Sequence, residues 1–202
     1  MMKLHDNPAS PYCRKVNALL HETGQVDDVE IVFAVGHPLA PEKMPLAQNP
    51  LGKIPALERD DGPAIYDSRV ICRFLDARAK AGMYPDSRLW DVLTLEATAD
   101  GIMDAAILMV YEGRARPEDM RYQPWVDAQW DKIARALDAI GTRWMGHLAG
   151  PVDMGQIAIG CALGYLDLRC DDRNWRHGHD TLATWYDTFS KRPAMEATVP
   201  IG

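Results

Sequence analysis

The chain has 202 residues, of which 47% are hydrophobic, and its formal net charge is −7. This length allows one large domain or two small ones, each with a buried core. The acidic balance argues against a nucleic-acid partner, because phosphate binding needs clustered cations. The sequence shows no signal peptide and no apolar stretch long enough to span a membrane, so we expect a cytoplasmic protein without a membrane partner.

The first part of the chain alternates short apolar stretches with turn signals. Pro11 fits the first turn of a helix, where its missing N–H is no loss, and Gly24 is typical of a position just past a helix end. Residues 60–63, Asp-Asp-Gly-Pro, form a turn signal that predicts a hairpin. Together these patterns predict strands at residues 3–6, 29–33, 54–57 and 64–66, with helices that begin at Pro11 and at Asp67 or Ser68.

The rest of the chain shows only helical spacing. Residues 82–87 contain Tyr-Pro-Asp and are typical of a linker, and from Arg88 onward no strand signal appears. Apolar residues between Trp130 and Leu148 keep the spacing of one helix. Asp153 and Gln156, three residues apart, form a capping box that predicts the start of another helix. The pattern therefore indicates an α/β region followed by an all-α region.

The four cysteines show no Cys-x-x-Cys pair and no metal-ligand spacing. We expect them to be core residues, because free cysteine is among the most buried residue types, and we expect no metal site. They are Cys13, Cys72, Cys161 and Cys170.

Several motifs resemble those of one enzyme family. Residues 10–13, Ser-Pro-Tyr-Cys, resemble the glutaredoxin motif C-P-Y-C with serine in place of its first cysteine. Residues 49–57, N-P-L-G-K-I-P-A-L, resemble the signature N-P-x-G-x-[VI]-P-x-L of the glutathione S-transferases, whose last proline is cis. Residues 66–68 are similar to the family's acidic residue and serine pair. Because residues 99–106 and 157–169 are similar to a bacterial, serine-type subgroup, the resemblance covers nearly the whole chain.

This resemblance implies a fold and an activity. The fold would be an α/β thioredoxin-like glutathione-binding domain with a mixed four-stranded sheet at residues 1–81, a linker at 82–87, and an all-α helical domain at 88–202. The activity would be that of a homodimeric glutathione transferase, which activates the glutathione thiol for attack on a small electrophile or a peroxide. Two alternatives stay open: a non-catalytic binding module with the same fold, and a glutaredoxin-like thiol transferase that uses Cys13.

Ser10 is the candidate catalytic residue. The thiol of glutathione has a pKa near that of free cysteine, about 8.5, so little thiolate exists at neutral pH. A helix N-terminus and a hydroxyl donor both favour the thiolate, the hydroxyl by about 1.5–3 kcal/mol. Ser10 also stands where an N-cap belongs, so it either activates a bound thiol or only caps its helix. Cys13 is the rival nucleophile, and its alternative role is that of a core residue.

The resemblance also implies a glutathione-binding set. In the family, the backbone before the cis proline pairs with the cysteinyl part of glutathione, and the next helix N-terminus binds the γ-glutamyl carboxylate. Ordinary turn, capping and surface roles remain possible for the same residues. The predicted set is Lys53, Ile54, Pro55, Asp67 and Ser68, with Asp104 of the partner subunit.

Asp104 and its neighbours on the same predicted helix have further roles by resemblance. Asp100 and Asp104 are four residues apart, where like charges repel, so a cation across a dimer interface would offset the cost. A solvated acidic face is the other interpretation. A second-substrate pocket is expected between the domains, although an apolar stripe of this kind is also typical of a core. Its candidate residues are Tyr12, Met103, Ile107 and Tyr111.

Overall fold

The structure is a computed structural model that describes residues 1–202. The chain divides into two compact units, one formed by Met1–Leu89 with Pro193–Gly202 and the other by Trp90–Arg192. Two hydrogen bonds connect the C-terminal segment to the rest of the first unit. Arg14 Nη2 donates to the carbonyl of Met195 at 3.2 Å, and the N–H of Ile201 donates to the carbonyl of Pro8 at 3.3 Å. The domain boundaries expected from the sequence stay a prediction.

The first unit contains a mixed four-stranded sheet, which confirms the predicted fold class. The strand order is β2-β1-β3-β4; β1 pairs with β2 in parallel, and the other two pairs are antiparallel. The strands are β1 (Met2–Asp6), β2 (Val29–Phe33), β3 (Ala56–Arg59) and β4 (Gly62–Ile65).

The helices account for most of the remaining chain, and no strand follows β4. The helices are α1 (Pro11–Glu22), α2 (Ser68–Ala79), α3 (Leu89–Ala115), α4 (Gln123–Arg143), α5 (Met145–Leu148), α6 (Met154–Arg169), α7 (Asp180–Phe189) and α8 (Pro193–Ala197).

The third strand begins two residues later than the sequence predicted. It starts at Ala56, not Ile54, because Pro55 has no N–H to donate to a strand ladder. The Ile54–Pro55 peptide bond is cis, as the family signature implied. In the core of this unit, Leu4 of β1, Leu57 of β3 and Ile71 of α2 are fully buried.

The second unit is all-helical, and α6 lies at its centre. Every residue from Met154 to Leu166 is buried, as expected for a helix that is apolar all round. The predicted capping box is confirmed: Asp153 Oδ1 accepts the N–H of Gly155 and of Gln156, and Gln156 Oε1 accepts the N–H of Asp153 at 2.7 Å. None of the helices combines the length and apolar character needed to cross a membrane.

One predicted helix is interrupted. The apolar spacing predicted a single helix through Leu148, but α4 ends at Arg143 and α5 begins at Met145. Trp144, between them, has φ −115° and ψ −1°, outside ordinary helical values. A one-residue interruption leaves Leu148 buried, so the apolar spacing persists through the break.

Candidate functional site

Three segments lie together at one end of the sheet because of the strand directions. His5 of β1 is opposite Ala56 of β3 in an antiparallel pair, so the end of β1 lies beside the start of β3. Leu57 of β3 is opposite Ile65, the last residue of β4, so β4 ends at the same place. The segments that follow β1 and β4 therefore meet the segment that precedes β3; these are residues 7–10, 66–68 and 53–55.

Ser10 is the N-cap of α1, where the sequence placed it. Its backbone is extended, and its Oγ accepts the N–H of Cys13 at 3.3 Å. Asn7 shapes the preceding loop: its carbonyl accepts the N–H of Ser10, its Oδ1 accepts the N–H of Ala9, and its Nδ2 donates to Ala34. In the cap Ser10 Oγ accepts, so the cap does not use its hydroxyl proton. The side chain of Cys13 is also within hydrogen-bonding reach of this hydroxyl. Capping and thiol activation are therefore compatible.

Cys13 is fully buried on α1. Burial first, and then the charge of Asp6, raise the pKa of its thiol well above the ordinary value. Asp6 is itself buried and accepts a hydrogen bond from Asn17 Nδ2 at 3.0 Å. Since the thiolate is the reactive form, this environment makes Cys13 a poor nucleophile.

We expect all four cysteines to resist a thiol reagent in the native protein, because all four are free and buried. The measurement is a colorimetric count of reactive thiols before and after addition of denaturant. We expect the four thiols to react only after unfolding. Rapid modification of one native thiol, lost in Cys13→Ser, would contradict this and support the cysteine-dependent alternative.

The loop before β3 is organised by Asn49, which is buried. Asn49 Nδ2 donates to the carbonyl of Lys53 at 2.9 Å, and Asn49 Oδ1 accepts the N–H of Leu51 at 3.0 Å. No other residue of the chain bonds to the backbone N–H or C=O of Ile54. Pro55 is buried and Lys53 is exposed. The loop therefore holds Ile54 at the site with both backbone groups available to a ligand.

The N-terminus of α2 carries Asp67 and Ser68. Asp67 is the N-cap: its Oδ1 accepts the N–H of Arg69 at 3.0 Å, and its Oδ2 pairs with the Arg69 guanidinium at 2.8 Å. Partial burial would raise the pKa of Asp67, but the hydrogen bonds and charge of Arg69, with the charge of Lys15, lower it from its ordinary value. Ser68 is only 2% exposed, and its hydroxyl makes no hydrogen bond within the chain.

The remaining predicted site residues lie on α1 and on α3. Tyr12 is half-buried on α1. On α3, in the second unit, Asp104 is exposed, Met103 is fully buried, Ile107 is half-buried and Tyr111 is 38% exposed. Their roles stay predictions.

Sequence reasoning missed two residues of the site. Asn49 was noted only as part of the signature at residues 49–57 and was given no role. Its place as the first residue of N-P-L-G is the signal that could have identified it. Lys15 is fully buried, although a lysine within a helix is normally exposed, and nothing in the sequence marks it. No group of three or more His, Cys, Asp or Glu side chains is arranged to hold a metal ion.

Comparison with known proteins gives the family. Residues 9–78 match the model of the glutathione S-transferase N-terminal domain, and residues 123–188 that of the C-terminal domain. The chain is 33% identical to the uncharacterized GST-like protein YibF of Escherichia coli K12, over 98% of each chain. The chain belongs to the glutathione S-transferase family.

Solved structures agree with this assignment. A glutathione transferase family member from Pseudomonas fluorescens Pf-5, with bound glutathione, is 46% identical over 100% of both chains, with a TM-score of 0.97. A glutathione S-transferase from Methylobacillus flagellatus KT, with GSH bound, is 36% identical over 100% of both chains, with a TM-score of 0.87.

Proposed function

We propose that this protein is a glutathione transferase of the serine type, in which Ser10 activates the thiol of bound glutathione. The observation that carries the proposal is the position of Ser10 at the N-terminus of α1, with a hydroxyl proton that the cap does not use. A donor at a helix N-terminus stabilises a thiolate through the hydroxyl hydrogen bond, the helix dipole and the free N–H groups of the first turn.

The magnitudes support this mechanism. Lowering the pKa of a thiol by about two units requires roughly 2.7 kcal/mol of preferential thiolate stabilisation. A hydrogen bond to a charged group contributes about 1.5–3 kcal/mol, and a helix N-terminus about 0.3–1 kcal/mol. Ser10 and α1 together supply an effect of the required size. Cys13 does not compete, because its pKa is raised.

The rest of glutathione fits the other two segments at this end of the sheet. The free N–H and C=O of Ile54 suit the cysteinyl backbone, which would pair with them as a short antiparallel strand. The N-terminus of α2 and the unbonded hydroxyl of Ser68 suit the γ-glutamyl carboxylate. Asp67 would accept from the ligand ammonium, and Lys53 would lie near the glycyl carboxylate.

The proposal includes a homodimer and a second substrate. Asp104 of the partner subunit would reach the γ-glutamyl amine. The candidates for contacts with a small electrophile are Tyr12, Met103, Ile107 and Tyr111.

We also propose a cytoplasmic location, because the four buried cysteines are free, as is usual in a reducing compartment.

Calorimetry with glutathione, followed by a substrate panel, tests the proposed function. The panel should contain an activated aryl halide, an unsaturated carbonyl compound and an organic hydroperoxide, and we expect glutathione binding with turnover of at least one class. Binding without turnover of any electrophile would indicate a non-catalytic module. Reduction of mixed disulfides that is lost in Cys13→Ser would indicate a glutaredoxin-like thiol transferase.

A further inference from the structure

We propose that His5, Glu58 and Gln48 form a network that positions the glutathione-binding loop. This loop is residues 45–54, and its end presents Ile54 to the ligand. The inference rests on the proposed function for the ligand, but the network itself is defined by contacts within the protein. None of the three residues touches the reacting atoms, so their role is positioning.

The pairing of β1 with β3 brings His5 and Glu58 together. Lys3 is opposite Glu58 and His5 is opposite Ala56 in the β1–β3 pair, so His5 and Glu58 are diagonal neighbours on one face of the sheet. His5 Nε2 and Glu58 Oε1 are 2.6 Å apart. The side chain of His5 is 11% exposed and that of Glu58 is 37% exposed. A nearly buried ring therefore holds the carboxylate in one orientation.

A second contact joins this pair to the loop. Gln48 Nε2 donates to the same oxygen, Glu58 Oε1, at 3.3 Å. Glu58 Oε1 therefore accepts one hydrogen bond from His5 in the sheet and one from Gln48 in the loop. Of the three residues, Glu58 is the one that contacts both of the others. Losing the carboxylate removes both hydrogen bonds.

Asn49 connects Gln48 to the ligand-binding end of the loop. Gln48 is followed directly by Asn49, whose Nδ2 donates to the carbonyl of Lys53. That carbonyl belongs to the peptide unit whose N–H is the N–H of Ile54. The N–H groups of Gln48 and Asn49 both bond to the carbonyl of Pro45, so the loop between the two ends is internally bonded. Two hydrogen bonds, joined by the Gln48–Asn49 peptide bond, therefore connect the sheet to the peptide that we assign to glutathione.

The network predicts different effects on KM for glutathione and on kcat. A loop that holds the cysteinyl backbone of glutathione contributes to binding of the ground state and the transition state alike, so its loosening raises KM without changing kcat. Ser10 lies on a different segment, after β1, and does not depend on the loop for its cap. A general loss of folded protein would lower the amount of active enzyme and so reduce apparent kcat.

Glu58→Ala and Glu58→Gln test this inference together. Glutamine keeps an acceptor oxygen of the same reach, so Glu58→Gln should retain the loop, whereas Glu58→Ala should release it. We expect hydrogen exchange of the backbone amides within residues 48–52, other than Pro50, to become about ten-fold faster in Glu58→Ala. We expect KM for glutathione to rise about three- to ten-fold with kcat unchanged. Gln48→Ala, which removes only the loop side of the network, should act in the same direction. Glu30→Ala, at an exposed position of β2, is the matched control and should behave as the wild type.

Exchange and kinetics separate the possible failures. Unchanged exchange of residues 48–52 in both Glu58→Ala and Gln48→Ala would overturn the network. An equal loss in Glu58→Gln and Glu58→Ala, or a fall in kcat in place of a rise in KM, would also overturn it. If the wild type binds no glutathione, the proposed function fails, while the exchange data still decide whether the network holds the loop.

Discussion

Replacing Ser10 by alanine is expected to lower kcat/KM for conjugation by about ten- to 150-fold, with glutathione affinity nearly unchanged. The estimate follows from the loss of a charge-assisted hydrogen bond of about 1.5–3 kcal/mol, where 1.4 kcal/mol is one decade in rate. Activity should fall without vanishing, because the N-terminus of α1 remains. Steady-state kinetics with one electrophile, and calorimetry with glutathione, measure the two effects.

Ser10 also caps α1, so two variants must separate catalysis from stability. At an N-cap, alanine costs about 0.5–2 kcal/mol of stability but glycine only a few tenths. Ser10→Gly should therefore lose as much activity as Ser10→Ala while unfolding closer to the wild type. Ser10→Thr, which keeps a hydroxyl, should retain more activity than either. Cys13→Ser should change conjugation little; a dead Cys13→Ser beside an unaffected Ser10→Ala would overturn the assignment.

Ser68→Ala is expected to weaken glutathione binding by about 1.5–3 kcal/mol, which corresponds to a roughly ten- to 150-fold rise in Kd. The hydroxyl of Ser68 is nearly buried and unbonded within the chain, so its proposed partner is the γ-glutamyl carboxylate. Titration calorimetry at constant pH measures the change directly.

The same variant leaves the fold nearly untouched. Asp67, not Ser68, caps α2, and alanine is a good helix former at the first helical position. Ser87→Ala, at an exposed serine in the segment before α3, is the matched control and should bind glutathione as the wild type does. Unchanged affinity in Ser68→Ala would show that the carboxylate does not bind at α2.

Local sequence signals predicted the parts of the fold that local physics determines. The second strand was predicted at residues 29–33 from its alternating apolar and polar side chains, and it is Val29–Phe33, although Ile31 and Phe33 are exposed. The capping box of α6 was predicted from two residues three positions apart, since its bonds join only neighbouring groups. Ser10 was placed at the N-cap of α1 for the same reason.

Features that depend on register between distant segments could not be predicted. His5 and Glu58 meet only because β1 and β3 pair with His5 opposite Ala56, and no spacing in the sequence encodes that register. Gln48 joins them through an equally non-local contact. Burial of Lys15 likewise depends on what packs against α1, whereas its sequence position is that of an ordinary helical lysine.

The most direct test of the account is a pH titration of glutathione bound to the protein, followed by the ultraviolet absorbance of the thiolate. The account predicts that the pKa of the bound thiol lies about two units below that of free glutathione in the wild type, and returns most of the way toward the free value in Ser10→Ala. A bound thiol that titrates like free glutathione in the wild type, or an equal lowering in Ser10→Ala, would contradict the central role of Ser10.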